Sequence, residues 1–214
     1  MYFEYGEKEI LYLKGRDSLL GEAIDKIGHI EREAGGDLFV SVVNNIVGQQ
    51  ISGAAHAAIW GRILADLGEI SPKTICQTPA GRLQANGISL RKAEYIKSFA
   101  ENVSSGQLDI SSLYNKTDAE IIAELTAIKG IGVWTAEMLM LFSMQRGDIL
   151  NFGDLAIHRG MRMLYHHRNV DRKLFEKYRR RYSPYGSVAS LYLWHIAGGA
   201  IPGMKDYIPK KKKP

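Results

Sequence analysis

The chain has 214 residues, 45% of them apolar and 24% charged, with a net charge of +5. That is the profile of a soluble globular protein long enough to bury one medium core or two small ones. A single cysteine, Cys76, excludes a disulfide framework. No uninterrupted apolar run approaches the roughly 20 residues that span a bilayer, so no membrane partner is expected. Glu4, Glu7 and Glu9 precede any hydrophobic stretch, which argues against a signal peptide and for a reducing, cytoplasmic setting.

Residues 2–13, YFEYGEKEILYL, read as a short extended piece. From Asp17 onward the apolar periodicity is helical, with frequent start signals. Asp17 precedes SLLGEAIDKIG, and Asp37 precedes LFVSVVNNIV. The GQQIS block then marks a break before SGAAHAAIWGRIL, where Ala54, Ala55, Ala57 and Ala58 suggest close helix packing and Trp60 a core position. Ser71-Pro72 and Thr78-Pro79 each pair a cap with Pro at the first helical position. Ser89 precedes LRKAEYIKSFAENV, Thr117 with Glu120 forms a capping box, and Asp154 precedes LAIHRGMRMLYHH. About ten short helices joined by brief loops, with no internal repeat, indicate an all-α protein.

Residues 125–137, LTAIKGIGVWTAE, are the most informative segment. They fit a helix, a tight Gly-x-Gly hairpin at Gly130 and Gly132, and a second helix opened by Val133 and Thr135. Such a turn offers backbone N–H groups at a helix start with no side chain to block a phosphate. Asp154, in FGDLAIHRG, follows 22 residues after Gly132. Taken alone, an Asp at a helix start is a common cap. Charge is also unevenly placed. Residues 158–181 hold nine Lys/Arg against Asp171 and Glu176, residues 210–213 add four lysines, and the remainder is net −6. A basic strip on an acidic body suits a polyanion such as DNA, which is the reading favoured for 158–181; the alternative is a solvated helix surface. The lysine tail is read as solvated chain.

The hairpin segment resembles the helix-hairpin-helix of the HhH-GPD superfamily of DNA glycosylases, in particular the 3-methyladenine DNA glycosylase II type. The likeness runs from about residue 37 to 198 and includes FVSVVNNIVGQQIS, GISLRKAEYIKSFA and SLYLWHIAGG. It implies two helical lobes with the active site in the cleft between them. One is a central bundle over 38–146; the other joins 15–37 to 147–209 and carries Asp154, with 210–214 as a basic tail. Relatives that carry a four-cysteine iron–sulfur cluster are set apart, because one cysteine cannot hold it.

The resemblance also implies roles. Asp154 becomes the catalytic carboxylate, a helix-start anion that stabilises oxocarbenium-like charge while an N-glycosidic bond breaks. Lyase-active relatives carry a Schiff-base Lys two residues after the second hairpin Gly. Trp134 stands there, so base removal without backbone cleavage is expected. Trp134 and Trp194 match pocket-lining positions, while Met138 and Leu155 stand where relatives often have Tyr. Gln50, with Gln49 beside it, falls on the residue that wedges into the base stack; the alternative is that both glutamines hydrogen-bond the helix break. The N–H groups of Gly130, Gly132 and Thr135 would bind a phosphate, and Arg159 adds a DNA contact. The carbonyls of Thr126, Ile128 and Ile131 would hold Na+ or K+. The six histidines lack ligand spacing. The expected function is a monomeric, monofunctional glycosylase that flips alkylated, mainly cationic purine, bases out of double-stranded DNA. The alternatives are a non-catalytic protein that senses distorted DNA and a glycosylase for oxidised or deaminated bases.

Overall fold

The computed structural model describes residues 1–208; the lysine run at 210–213, and with it the basic tail, lies outside them. Among the described residues the chain is all-α, with twelve α-helices, one short 3-10 helix and no strand. None of these helices is long and apolar enough to cross a membrane.

The chain forms two compact units, one from residues 1–35 together with those from Gln145 on, the other from residues 36–144. In chain order, the first unit begins with α1 (Glu7–Arg16) and α2 (Ser18–Ile27). The second contains α3 (Leu38–Gly48), α4 (Gly53–Leu67), α5 (Pro72–Gln77), α6 (Ala80–Ala85) and α7 (Leu90–Ser104). After the 3-10 turn Ser111–Asn115 it closes with α8 (Asp118–Ala127) and α9 (Val133–Phe142). The first unit resumes with α10 (Leu155–Tyr165), α11 (Arg172–Tyr182) and α12 (Gly186–Ala197).

Helix starts follow local capping chemistry. Asp37 accepts the Val40 N–H at 2.9 Å, and Ser52, Ser71 and Ser89 cap α4, α5 and α7 in the same way. Thr117 and Glu120 make the reciprocal capping box of α8. The second unit is built around α3, α7 and α9, which contribute Val42, Val43, Ile46, Ile96, Phe99 and Leu139 to its core, with Phe39 stacked on Phe99 at 4.9 Å. In the first unit α12 is buried almost all round, and α10 and α2 pack on it. α10 and α12 meet backbone to backbone, since a Cβ on Gly160 would fall on the Leu193 carbonyl.

Four expectations are corrected. Within residues 2–13 only Tyr2 pairs, in an isolated bridge to Glu33, and from Glu7 the chain is helical. Glu9 accepts the Gly6 N–H at 2.8 Å, acids fill the first turn and bases the last, and Leu13 is fully buried; these outweigh the β-propensity of the Tyr and Ile residues. Thr78 does not cap α6: its hydroxyl donates back to the Thr74 carbonyl, and Pro79 occupies the cap position without a side-chain bond. Ala54, Ala57 and Ala58 face solvent, α4 being buried through Ile59 and Ile63. Trp60 is half-buried rather than enclosed.

Asp17 organises the first unit. Its carboxylate, 2% exposed, caps α2 through the Leu20 N–H and accepts from Tyr165 at 2.9 Å and from Arg181 at 2.5 Å. Burial holds the Tyr165 and Tyr182 hydroxyls well above the ordinary tyrosine range, so both stay protonated. With Tyr165 donating to Asp17, Tyr182 donates to Tyr165, and a chain of donors ends on one anion. Asp17→Ala removes a cap and strands a partly covered arginine; a loss of about 2–4 kcal/mol is expected, below the full buried-pair range because Arg181 is partly solvated. Denaturant unfolding should show a lower midpoint at unchanged slope, with a clearly smaller loss in Tyr165→Phe.

Candidate functional site

In the second unit the hairpin is fixed by its own backbone. The Ile131 N–H donates to the Ile128 carbonyl at 3.0 Å, and Gly130 adopts φ +90°. A Cβ at Gly130 would lie 2.5 Å from the Tyr95 ring, so glycine is required there twice over, by conformation and by contact. Gly132 differs: its φ is −93° and a Cβ would meet nothing within 4 Å. It leaves the approach to α9 open, and α9 begins with no side-chain cap.

The break between α3 and α4 lies against this turn. Gln49 ends α3, and Gln50 is exposed with φ +57°, a conformation uncommon for a residue with a side chain. Gln49 Nε2 donates to the Gly130 carbonyl at 2.7 Å, which joins the break to the hairpin. Lys92, on α7, donates to the carbonyls of Val47 at 2.9 Å and Gln49 at 2.6 Å. No linear pattern points to Lys92, because its partners are more than 40 residues away. Asn44, Asn45, Gln49, Gln50, Trp134 and Thr135 line an open cavity of about 550 Å³. Trp134 is 47% exposed, whereas Met138 is buried in the core of the unit. His56 and Asn44 share a 2.6 Å hydrogen bond on the cavity wall. Thr126 Oγ1 is committed to the Ile122 carbonyl, and Ile128 and Ile131 bury their side chains while their carbonyls remain part of the turn.

In the first unit Asp154 is the N-cap of α10. Its Oδ1 accepts the N–H groups of Ala156 at 2.8 Å and Ile157 at 3.0 Å, and the residue is 7% exposed. Both N–H groups converge on that one oxygen, so the side chain is fixed in place at the helix start. The next residue, Leu155, is 85% exposed, an unusual position for a leucine. Trp194 is half-buried on α12, beside the Leu193–Gly160 contact that sets the approach of α10. Asp154, Leu155 and Trp194 thus lie on two helices that pack directly, while Trp134, the glutamines and the hairpin gather in the second unit.

The basic strip is less free than its composition implies. Arg162 makes two 2.7 Å bonds to Asp206, and Arg181 is held by Asp17. The guanidinium of Arg162 keeps the Asp206 carboxyl below its usual range. Arg159 reaches the same carboxylate only at 4.0 Å and is half exposed. Arg172 and Arg179 share Glu176 at the surface, an arrangement a phosphate could compete for. Arg168, Lys173, Lys177 and Arg180 are exposed.

Comparison with known proteins adds four matches. The family model described as HhH-GPD superfamily base excision DNA repair protein matches residues 43–184, a span that includes the α3–α4 break, the hairpin and Asp154 but stops short of Trp194. DNA-3-methyladenine glycosylase 1 of Schizosaccharomyces pombe is 32% identical over 161 residues, covering 73% of this chain and 71% of the relative. Among solved structures, the DNA-3-methyladenine glycosidase of Bacillus halodurans superposes with a TM-score of 0.84 at 38% identity, covering 92% of this chain and 93% of that one. The S. pombe 3-methyladenine DNA glycosylase Mag1 in complex with abasic DNA gives a TM-score of 0.77 at 28% identity, over 88% and 95% of the two chains.

The two hairpin glycines predict different costs. Gly130→Ala should destabilise by roughly 1–3 kcal/mol through its positive φ and the Tyr95 contact, while Gly132→Ala should change stability by less than about 1 kcal/mol. Parallel denaturant titrations measure both, and equal costs would contradict this division.

Proposed function

The chain belongs to the HhH-GPD superfamily of base excision DNA repair proteins, and from that premise we propose that it is a monofunctional DNA glycosylase that excises alkylated, mainly cationic purine, bases from duplex DNA. The observation that carries this reading is Asp154, a carboxylate held by two backbone N–H groups at a helix start in a chain that also bears the hairpin. Alkylation of a ring nitrogen places a positive charge on the base. When the N-glycosidic bond breaks, the base leaves with the bonding pair and becomes neutral, so little general acid is needed. The deoxyribose is left electron-poor at C1′. The Asp154 carboxylate stabilises that charge, orients a water for attack, and takes up the proton the water releases.

The remaining residues divide the binding work. The exposed face of Trp134 suits a cationic base, with Trp194 and Leu155 as further contacts. Gln50 stands exposed on a turn and is assigned the wedge that fills the emptied stack, whereas Gln49, bonded to Gly130, serves the backbone. Gly130, Gly132 and Thr135 would present N–H groups to a phosphate, with Arg159 as an outlying contact. The carbonyls of Thr126, Ile128 and Ile131 are hard oxygen donors of the kind an alkali cation takes; that of Ile128 accepts the Ile131 N–H and keeps a second lone pair. Trp134 in the place of a nucleophilic lysine leaves no amine for a Schiff base, so the abasic strand stays intact.

Asp154→Asn is the decisive variant. Asn caps helices as well as Asp does, so folding and duplex binding should persist while base release from methylated DNA falls by about 10²-fold or more. Wild-type excision in that variant would overturn the assignment. Borohydride trapping on damaged duplex should yield no covalent adduct, since no imine forms. Affinity for duplex should fall steeply between low and physiological salt.

A further inference from the structure

One sequence block remains without a function, GISLRKAEYIKSFA, which becomes the start of α7. Two of its side chains serve the site at once. Lys92 binds the last carbonyls of α3, those of Val47 and Gln49, on the residues leading directly into Gln50. Tyr95, three positions further along α7, lies under Gly130 so closely that no Cβ fits between them. Gln49 completes the loop by donating to the Gly130 carbonyl. We infer that Lys92 is a positioning residue for base extrusion: its ammonium holds the backbone on which Gln50 stands, and because α7 also braces the hairpin, phosphate capture and insertion of Gln50 are mechanically coupled.

The inference rests on the glycosylase reading above and on three observations. Gln50 adopts a left-handed conformation that a side-chain-bearing residue seldom takes, so something must over-determine it. The ammonium supplies that constraint through two short charge-assisted bonds to backbone that would otherwise end α3 without partners. Desolvation lowers the Lys92 pKa, as expected of a cation drawn from water onto carbonyls. A comparator lies on the same helix. Lys97 closes the end of α5 by donating to the carbonyls of Cys76 at 3.0 Å and Thr78 at 2.8 Å, with no contact to the wedge or hairpin among these bonds. It does the same structural job without the proposed functional one.

The test uses the full chain and a duplex carrying 7-methylguanine with 2-aminopurine as its neighbour, whose fluorescence rises when the stack opens. Single-turnover base release, the fluorescence rise, duplex affinity and unfolding midpoint are measured for Lys92→Met, Lys92→Gln, Lys92→Arg, Lys97→Met and Gln50→Ala. Lys92→Met should lose about tenfold or more in both extrusion and release, as a small misplacement of a reacting assembly does, while affinity for undamaged duplex stays near wild type. Lys92→Arg should recover most of the loss, and Lys92→Gln should fall between; this series reads the role even if the Met variant unfolds. Lys97→Met should lower the unfolding midpoint and leave extrusion intact. Wild-type extrusion in both Lys92→Met and Lys92→Gln overturns the proposal, as does an equal loss of extrusion in Lys97→Met. A wild-type chain that opens the stack but releases no base would sink the glycosylase reading, and the fluorescence series would still decide the role of Lys92.

Discussion

Helix ends leave backbone groups without partners, and the way this chain satisfies them shapes nearly everything it does. In the second unit the carboxyl end of α3 is closed by a lysine and a hairpin glycine is held by a glutamine. In the first, Asp17 closes the start of α2 and gathers a tyrosine and an arginine from distant helices. Each is a long-range use of a short-range need. An orphan carbonyl or N–H recruits a side chain from elsewhere, and that side chain locks two elements together. The site is assembled from such junctions more than from a dedicated set of reactive groups.

Asp154 shows the overlap most sharply. The two N–H groups that make it a cap also fix where its carboxylate stands. Under the proposed reading the same carboxylate would cap the helix at rest and face a developing cation during reaction, so the two roles would not compete for the residue. The same economy explains the paired glycines of the hairpin. One is demanded by φ and by an aromatic ring, the other leaves space at a helix start.

Local rules were legible in the sequence because they act within a few residues. The caps at Asp17, Asp37, Ser71, Ser89, Thr117 and Asp154, the all-α architecture and the hairpin itself all rest on contacts a few positions apart. The extended reading of residues 2–13 failed because burial of Leu13 and the acid-first, base-last charge order decided the segment over its aromatic propensity. Thr78 failed as a cap because its hydroxyl found a nearer carbonyl behind it. Lys92 and the bonds of Asp17 to Tyr165 and Arg181 were illegible in principle: nothing in a linear pattern says which carbonyl a lysine 43 residues away will find. Composition likewise overstated the basic strip, since counting charges does not reveal that Arg162 and Arg181 already have acids.

The contact of Gly160 with the Leu193 carbonyl has a consequence for how this scaffold can diverge. Two helices touching main chain to main chain have no spacer to lengthen or shorten, so the offset between the start of α10 and the indole on α12 is a constant of the architecture. On the proposed reading, substrate preference would therefore drift by exchange of projecting side chains, such as the outward leucine at 155 or the exposed Trp134, and not by respacing α10 and α12. A library aimed at new lesions would do best to randomise those projections and leave the glycine untouched.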